Sequence, residues 1–310
     1  MNNTLEKEGW VVLTACPSCE SNSLLPFLEA KDRHYGIQGV FPIVQCGECS
    51  LVFLNPMPDE PTLTALYPDD YYAYQEYPSK RDQLKQLIKR LCLVSIHTKD
   101  PSFLSPGRAL DIGCGSGKFL AEKKAVGWEA YGVEVSANGA RVGKENGINI
   151  FNGTLEQAAF EENYFDYIRL NHSFEHITRP NETLQEIYRI LKPEGKLMIG
   201  VPNIDSANHR LFKKYWWYMG APVHPFTYSV KTLSQILGKN NLFVEKVVFN
   251  SDFSGVLGSL QIFLNRSSGR ISTEGALIHN FPLVAIAHRI AKINDLFKKG
   301  DAIELTARKA

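Results

Sequence analysis

From Arg108 onward the chain alternates short apolar runs with amphipathic ones, and this alternation restricts the fold more than any other feature. RALDIG, WEAYGVEV, INIF, FDYIRLN, GKLMIGVPN, LFVEKVVFN and DAIELTARK read as seven strands. GKFLAEKKAV, ANGARVGKEN, NETLQEIYRIL and VKTLSQILGKN lie between them with helical spacing. Strands that alternate with helices pair in parallel, which predicts an α/β, doubly wound sheet. A chain of 310 residues holds such a domain and a small second one, and its 44% apolar and 22% charged content is that of an ordinary globular protein.

The first strand runs into LDIGCGSGKFL, with glycines at positions 113, 115 and 117. Ligands of a doubly wound sheet sit at the carboxyl ends of its strands, and glycine lets the backbone approach them without a Cβ in the way. Glu134 ends the second strand 23 positions after Asp111, where an acid can accept hydrogen bonds from ribose hydroxyls. A dinucleotide fingerprint would need glycine at Lys118, and the spacing of a phosphate-binding P-loop is missing. A carboxylate at Asp111 repels a pyrophosphate but suits an ammonium and a sulfonium, which favours S-adenosylmethionine over NAD.

Six cysteines stand in a chain whose first residues, MNNTLEKEGW, contain no signal-peptide pattern. The expected compartment is the cytoplasm, where disulfides are rare. Cys16 and Cys19 form CPSC, and Cys46 and Cys49 form CGEC, with 26 residues between the pairs. Two such knuckles make a tetrahedral site for one structural zinc ion; a redox dithiol is the other reading. Cys92 and Cys114 are expected to be packed.

LDIGCGSGKFL, VEVS, FDYIRLNHSFEHI and LKPEGKLMIGVPN, in this order, resemble the class I S-adenosylmethionine-dependent methyltransferases over about residues 105–250. The resemblance implies a Rossmann-like seven-stranded sheet with its last strand antiparallel. The N-terminal part is similar to a zinc-binding module fused to some of these enzymes, including sugar methyltransferases of antibiotic and surface-polysaccharide pathways. By that resemblance Asp111, Gly113 and Gly115 frame the methionine end of the cofactor and Glu134 takes the ribose. Thr154 and Leu155 meet the adenine, and Asn171 with His172 lies under the methionine portion. The implied division is residues 1–80, with the zinc module and a tyrosine-rich linker, and 81–310, with a helical insertion at about 253–300.

The expected reaction is methyl transfer to a hydroxyl of a sugar or glycan intermediate, with a histidine as general base. His224, in GAPVHPFTYS, resembles the subgroup's catalytic histidine, and His176, in SFEHI, resembles a motif histidine near the acceptor. Glu175 either orients one of them or is an exposed acid at a helix start. His209 is a weaker candidate, and Trp216 and Trp217 are core residues or a pocket wall. Tyr67, Tyr71, Tyr72, Tyr74 and Tyr77 either join the two domains or line the acceptor pocket. C- or N-methylation of a nucleotide sugar stays open.

A nucleic-acid substrate is disfavoured by charge. The whole chain carries +1, and residues 1–60 hold three Lys/Arg against eight Asp/Glu. A non-catalytic scaffold is disfavoured by the intact Asp111–glycine–Glu134 set. Within the insertion, Leu283, Ile286, Ala287, Ile290, Ile293 and Phe297 recur at helical spacing, with basic residues elsewhere around the 282–299 segment. This stripe is expected to pack on the chain's own core or in a homodimer, with a membrane surface as the alternative.

Overall fold

The structure, a computed structural model, describes residues 8–67, 101–103, 105–265 and 276–309. Tyr71, Tyr72, Tyr74, Tyr77 and Cys92 lie outside the described residues. The chain opens with five short strands, β1 (Trp10–Val11), β2 (Leu24–Ala30), β3 (Phe41–Cys46), β4 (Val52–Leu54) and β5 (Met57–Pro58), and a short helix, α1 (Glu60–Ala65). The alternating region then supplies β6 (Arg108–Ile112), β7 (Glu129–Glu134), β8 (Asn149–Asn152), β9 (Phe165–Asn171) and β10 (Leu191–Pro202). β11 (Phe226–Thr227), β12 (Leu242–Phe249) and β13 (Ala302–Lys309) complete the strands.

Seven of these form the central sheet in the order β12-β13-β10-β9-β6-β7-β8. β6 to β10 pair in parallel, and β13 runs antiparallel to both β10 and β12. The fold is thus the expected Rossmann-like α/β sheet with its last strand reversed. β6 lies between β7 and β9, so the winding direction changes there and a crevice opens beyond the carboxyl ends of β6 and β9.

Apolar strands buried on both faces need helices over them. α2 (Lys118–Ala125), α3 (Ala137–Glu145), α4 (Pro180–Ile190), α5 (Ala207–Phe212) and α6 (Val230–Lys239) follow β6, β7, β9, β10 and β11 in turn. α4 begins on a proline and buries Leu184, Ile187 and Ile190; α6 begins with a Ser229–Thr232 capping box and buries Leu233, Ile236 and Leu237. Each such side chain contributes about 1.5–3 kcal/mol when fully buried.

The cysteine-bearing segment is built into this body. β11, from the second half of the chain, pairs with β4 and completes a four-stranded sheet with β3 and β2. Cys16, Cys46, Leu51, Phe53 and Met57 pack in the same apolar cluster as Phe226, Tyr228 and the central strands.

In the insertion, α7 (Ser254–Asn265) packs against α8 (Phe281–Leu296). The chain's own core takes only Leu283 and Ala287 of the expected stripe. The buried side of α8 is Val284, Ala287, His288 and Ala291, while Ile286, Ile290, Ile293 and Phe297 are 41–70% exposed. α7 meets this side through Leu257, which clusters with Val284 and Ala287. Among the described residues no helix is long and apolar enough to cross a membrane.

Candidate active site

The glycine turn closes as its sequence requires. Gly113, Gly115 and Gly117 all have positive φ, at 74°, 54° and 78°. A Cβ on Gly113 would stand 2.6 Å from the Cβ of Ser173, so the turn is pressed against the residues that follow β9. Cys114 lies over Gly132, and burial, with Asp111 and Glu134 close by, raises its thiol pKa well above the usual range. It is a packing residue.

Glu134 is buried at the end of β7, and two amides hold its carboxylate. Gly115 N–H donates to Oε2 and Ser136 N–H donates to Oε1, each at 2.8 Å. Burial raises its pKa against the pull of those amides. Each oxygen keeps a second lone pair, which is what two ribose hydroxyls require. The residues present therefore fit the adenosyl group that the sequence suggests.

Asp111 has a partner that the sequence reading missed. Arg169, directly across from it on β9, donates from Nη1 to both carboxylate oxygens at 3.2 Å, and its guanidinium lies 4.0 Å from the Phe119 ring centre. The charge expected to face a sulfonium is shared with a buried cation. The signal was an arginine inside the apolar run FDYIRLN.

After β8, Thr154 caps the following turn, its hydroxyl accepting from the Gln157 amide at 3.4 Å. The Leu155 side chain is buried in the main core. Only the backbone of Leu155 is left to face an adenine.

Asn171 and His172 end β9. Gly200 makes room for Asn171, since a Cβ there would lie 2.8 Å from its Oδ1. His172 has φ 53°, its amide donates to the Gly200 carbonyl at 2.8 Å, and its Nδ1 lies 3.4 Å from Glu175 Oε1. Glu175 is 1% exposed and so is no surface acid. Burial alone would raise its pKa, but the His172 hydrogen bond and the nearby imidazoles bring it down to about 2. Its Oε2 and the hydroxyl of Tyr228 are both buried without a hydrogen-bond partner among the described residues.

His176 and His224, the two sequence candidates, come together with ring centres 4.7 Å apart. His176 Nδ1 lies 2.6 Å from the Val223 carbonyl and 2.6 Å from the Tyr67 hydroxyl. His224 Nδ1 lies 3.1 Å from the Tyr218 carbonyl, and its ring lies against Gly220, where a Cβ would collide with it. A carbonyl only accepts, so each contact calls for a proton on Nδ1, the tautomer whose lone pair is on Nε2. Burial, and then the neighbouring His176, lower the pKa of His224 to about 3.

The N-terminal segment reaches this point too. Asp32 accepts from the backbone amides of His34, Tyr35 and Ile37, folding a loop whose His34 Nε2 lies 2.8 Å from the Trp217 carbonyl. The His34 ring meets Trp217 edge-on at 5.1 Å, and Tyr35 lies 6.1 Å from Tyr67. His34 was missed in the sequence because nothing local marks it. His209 and Trp216 belong to the core instead: both are buried, and Trp216 Nε1 donates to Asp301 at 2.7 Å.

Cys16, Cys19, Cys46 and Cys49 converge with all four sulfurs within 4.8 Å of one another. Two sulfur pairs stand 3.6 and 3.4 Å apart, close to the roughly 3.8 Å between thiolates bound 2.3 Å from a tetrahedral zinc. Glu20 and Ser50, at φ 63° and 69°, turn the chain out of each knuckle. Burial works against ionisation at Cys46, but the amides of Cys49 and Glu48 lower its pKa to about 7. The first knuckle is gripped from outside by Asn181 Nδ2 on the Pro17 carbonyl at 2.7 Å and Lys239 Nζ on the Ser18 carbonyl at 2.6 Å. The donor set fits a structural zinc ion.

Comparison with known proteins follows the same lines. A demethylmenaquinone methyltransferase of Staphylococcus haemolyticus is 30% identical over 142 residues, which are 41% of this chain and 57% of that protein. An uncharacterized protein of Methanocaldococcus jannaschii is 29% identical over 108 residues, covering 35% of this chain and 51% of its own. The chain thus spans about half the length of the curated relatives it matches. A crystal structure of an S-adenosylmethionine-dependent methyltransferase from Archaeoglobus fulgidus covers 74% of this chain and 95% of its own, at TM-score 0.48 and 22% identity. The family described as "Methyltransferase domain" matches residues 76–247, more than half of the chain. The chain belongs to the methyltransferase-domain family.

Proposed function

We propose that this protein transfers a methyl group from S-adenosylmethionine to a hydroxyl of a sugar-like small molecule or glycan intermediate. The observation that carries the reading is the Glu134 carboxylate, clamped by the Gly115 and Ser136 amides at the mouth of the glycine turn. Bound there, the cofactor supplies an electrophilic methyl group, and the chain's own residues orient the acceptor and deal with one proton. That task falls to the His176–His224 pair, beyond the end of β9. His224, lowered to about 3, is too weakly basic to hold a proton near neutral pH, so the role of base falls to its neighbour His176. The phenol of Tyr67 and the ring of Tyr35 form an amphipathic wall of the kind that suits a sugar. Cys16, Cys19, Cys46 and Cys49 would hold one structural zinc that fixes the segment bearing His34.

The test is calorimetric titration of the zinc-replete protein with S-adenosylmethionine, beside Glu134→Ala. Losing a charged acceptor costs about 1.5–3 kcal/mol per hydrogen bond, so the variant should bind at least tenfold more weakly. No binding by the folded parent would end the reading.

A further inference from the structure

The acceptor end holds more than a base needs. Two imidazoles and a carboxylate, from Glu175, His176 and His224, each offer a ligand atom, and these atoms lie within 4.8 Å of one another. The carboxylate is 1% exposed, and its Oε2 has no hydrogen-bond partner among the described residues. A buried anionic oxygen left unpaired costs on the order of several kcal/mol, so it is kept where something completes it. Both imidazoles set Nδ1 against a backbone carbonyl, an arrangement that in metal sites orients a histidine and leaves its other ring nitrogen to ligate.

We propose that Glu175, His176 and His224 form a second metal site, separate from the four cysteines, that takes one divalent first-row transition ion such as Mn²⁺ or Zn²⁺. Two imidazoles and a carboxylate with open positions suit such an ion, whereas four thiolates select zinc. Ligands about 2.0–2.2 Å from an ion stand roughly 2.8–3.6 Å apart in octahedral or tetrahedral sites, so side-chain rotations would close the site. This rests on the cleft being the acceptor end and sharpens it. The open positions would hold the acceptor's hydroxyl oxygen and lower its pKa, the proton leaving to solvent water. His176 and His224 then act as ligands to the ion that activates the hydroxyl.

The experiment is titration of the full chain, loaded with zinc at the cysteines, with Mn²⁺ alone, following free Mn²⁺ by electron paramagnetic resonance. One saturable equivalent is expected, weakened at least tenfold in Glu175→Gln and again in His224→Gln. Should either variant fail to fold, Co²⁺ added to the zinc-loaded parent decides. Visible ligand-field bands without thiolate charge transfer support the site, and no such bands overturn it. Absence of Mn²⁺, Zn²⁺ and Co²⁺ binding beyond the cysteine equivalent, in protein that still binds S-adenosylmethionine, also overturns it and leaves His176 as a direct base. Cation binding without S-adenosylmethionine binding would instead overturn the cofactor reading.

Discussion

The two ends of the cleft are built by different means. The end proposed for the cofactor comes from one βαβ unit: Glu134, the glycine turn and Ser136 lie within 24 positions, and the decisive bonds are to backbone amides. The end proposed for the acceptor draws His34, Tyr67, Glu175, His176 and His224 from four distant segments, held by contacts of side chains with backbone carbonyls and with one another. A backbone-held site survives most side-chain changes around it. An assembled site depends on every segment that delivers a residue.

That contrast is broken most forcefully at the cysteines. Cys46→Ser should abolish binding of the proposed zinc, whose contribution is on the order of 10 kcal/mol in small zinc domains. Residues 8–67 should lose protection from hydrogen exchange, and β11, paired to β4, should lose it with them. Full protection in the variant would mean that the four sulfurs are packing only. Next in size is the buried pair beneath the glycine turn. Arg169→Met leaves Asp111 buried without its partner, which costs about 3–5 kcal/mol, visible as a lower chemical-denaturation midpoint. Adding Asp111→Asn should recover part of the loss; if it does not, the pair is not coupled.

Legibility followed the same division. The parallel sheet, the glycine turn, Glu134 and the two cysteine knuckles could be read directly, because each is a local pattern of spacing or residue type. His176 and His224 could be singled out, but nothing in 48 positions of separation says that their rings meet. Arg169 was hidden because a pairing across β6 and β9 depends on register, which only the folded sheet supplies. The stripe on α8 was only partly legible, because periodicity marks an apolar face without saying which surface covers it. Within the chain, Leu257 of α7 packs with Val284 and Ala287 and leaves the isoleucines exposed.

His176→Asn sharpens the comparison from the other end. It should slow methyl transfer by about 10²–10⁴-fold, whether the ring takes the acceptor's proton itself or holds the ion that acidifies it, with affinity for S-adenosylmethionine unchanged within threefold. Equal losses in rate and cofactor affinity would show that the two ends are one unit.

The smallest effect belongs to β9 itself, whose two ends divide the same way. Its carboxyl end leads into His172 and Glu175, while near its start Asp166 accepts from the Arg108 amide at 2.8 Å and from Lys192 Nζ at 2.7 Å. Burial works against the Asp166 charge, but the Arg108 amide and Lys192 outweigh it and hold the pKa below the usual aspartate value. A depressed folded-state pKa gives stability that is complete above the unfolded value near 3.8 and is lost as pH falls through the folded one. The side chain is 33% exposed, so solvent screening keeps the contribution under about 1 kcal/mol. Asp166→Asn should therefore lower thermal stability slightly at pH 7, by less at pH 3, and leave cofactor affinity untouched. A change in affinity would mean that strain at the base of β9 reaches the glycine turn through the Asp111–Arg169 pair, and the two ends of the strand would then no longer be independent.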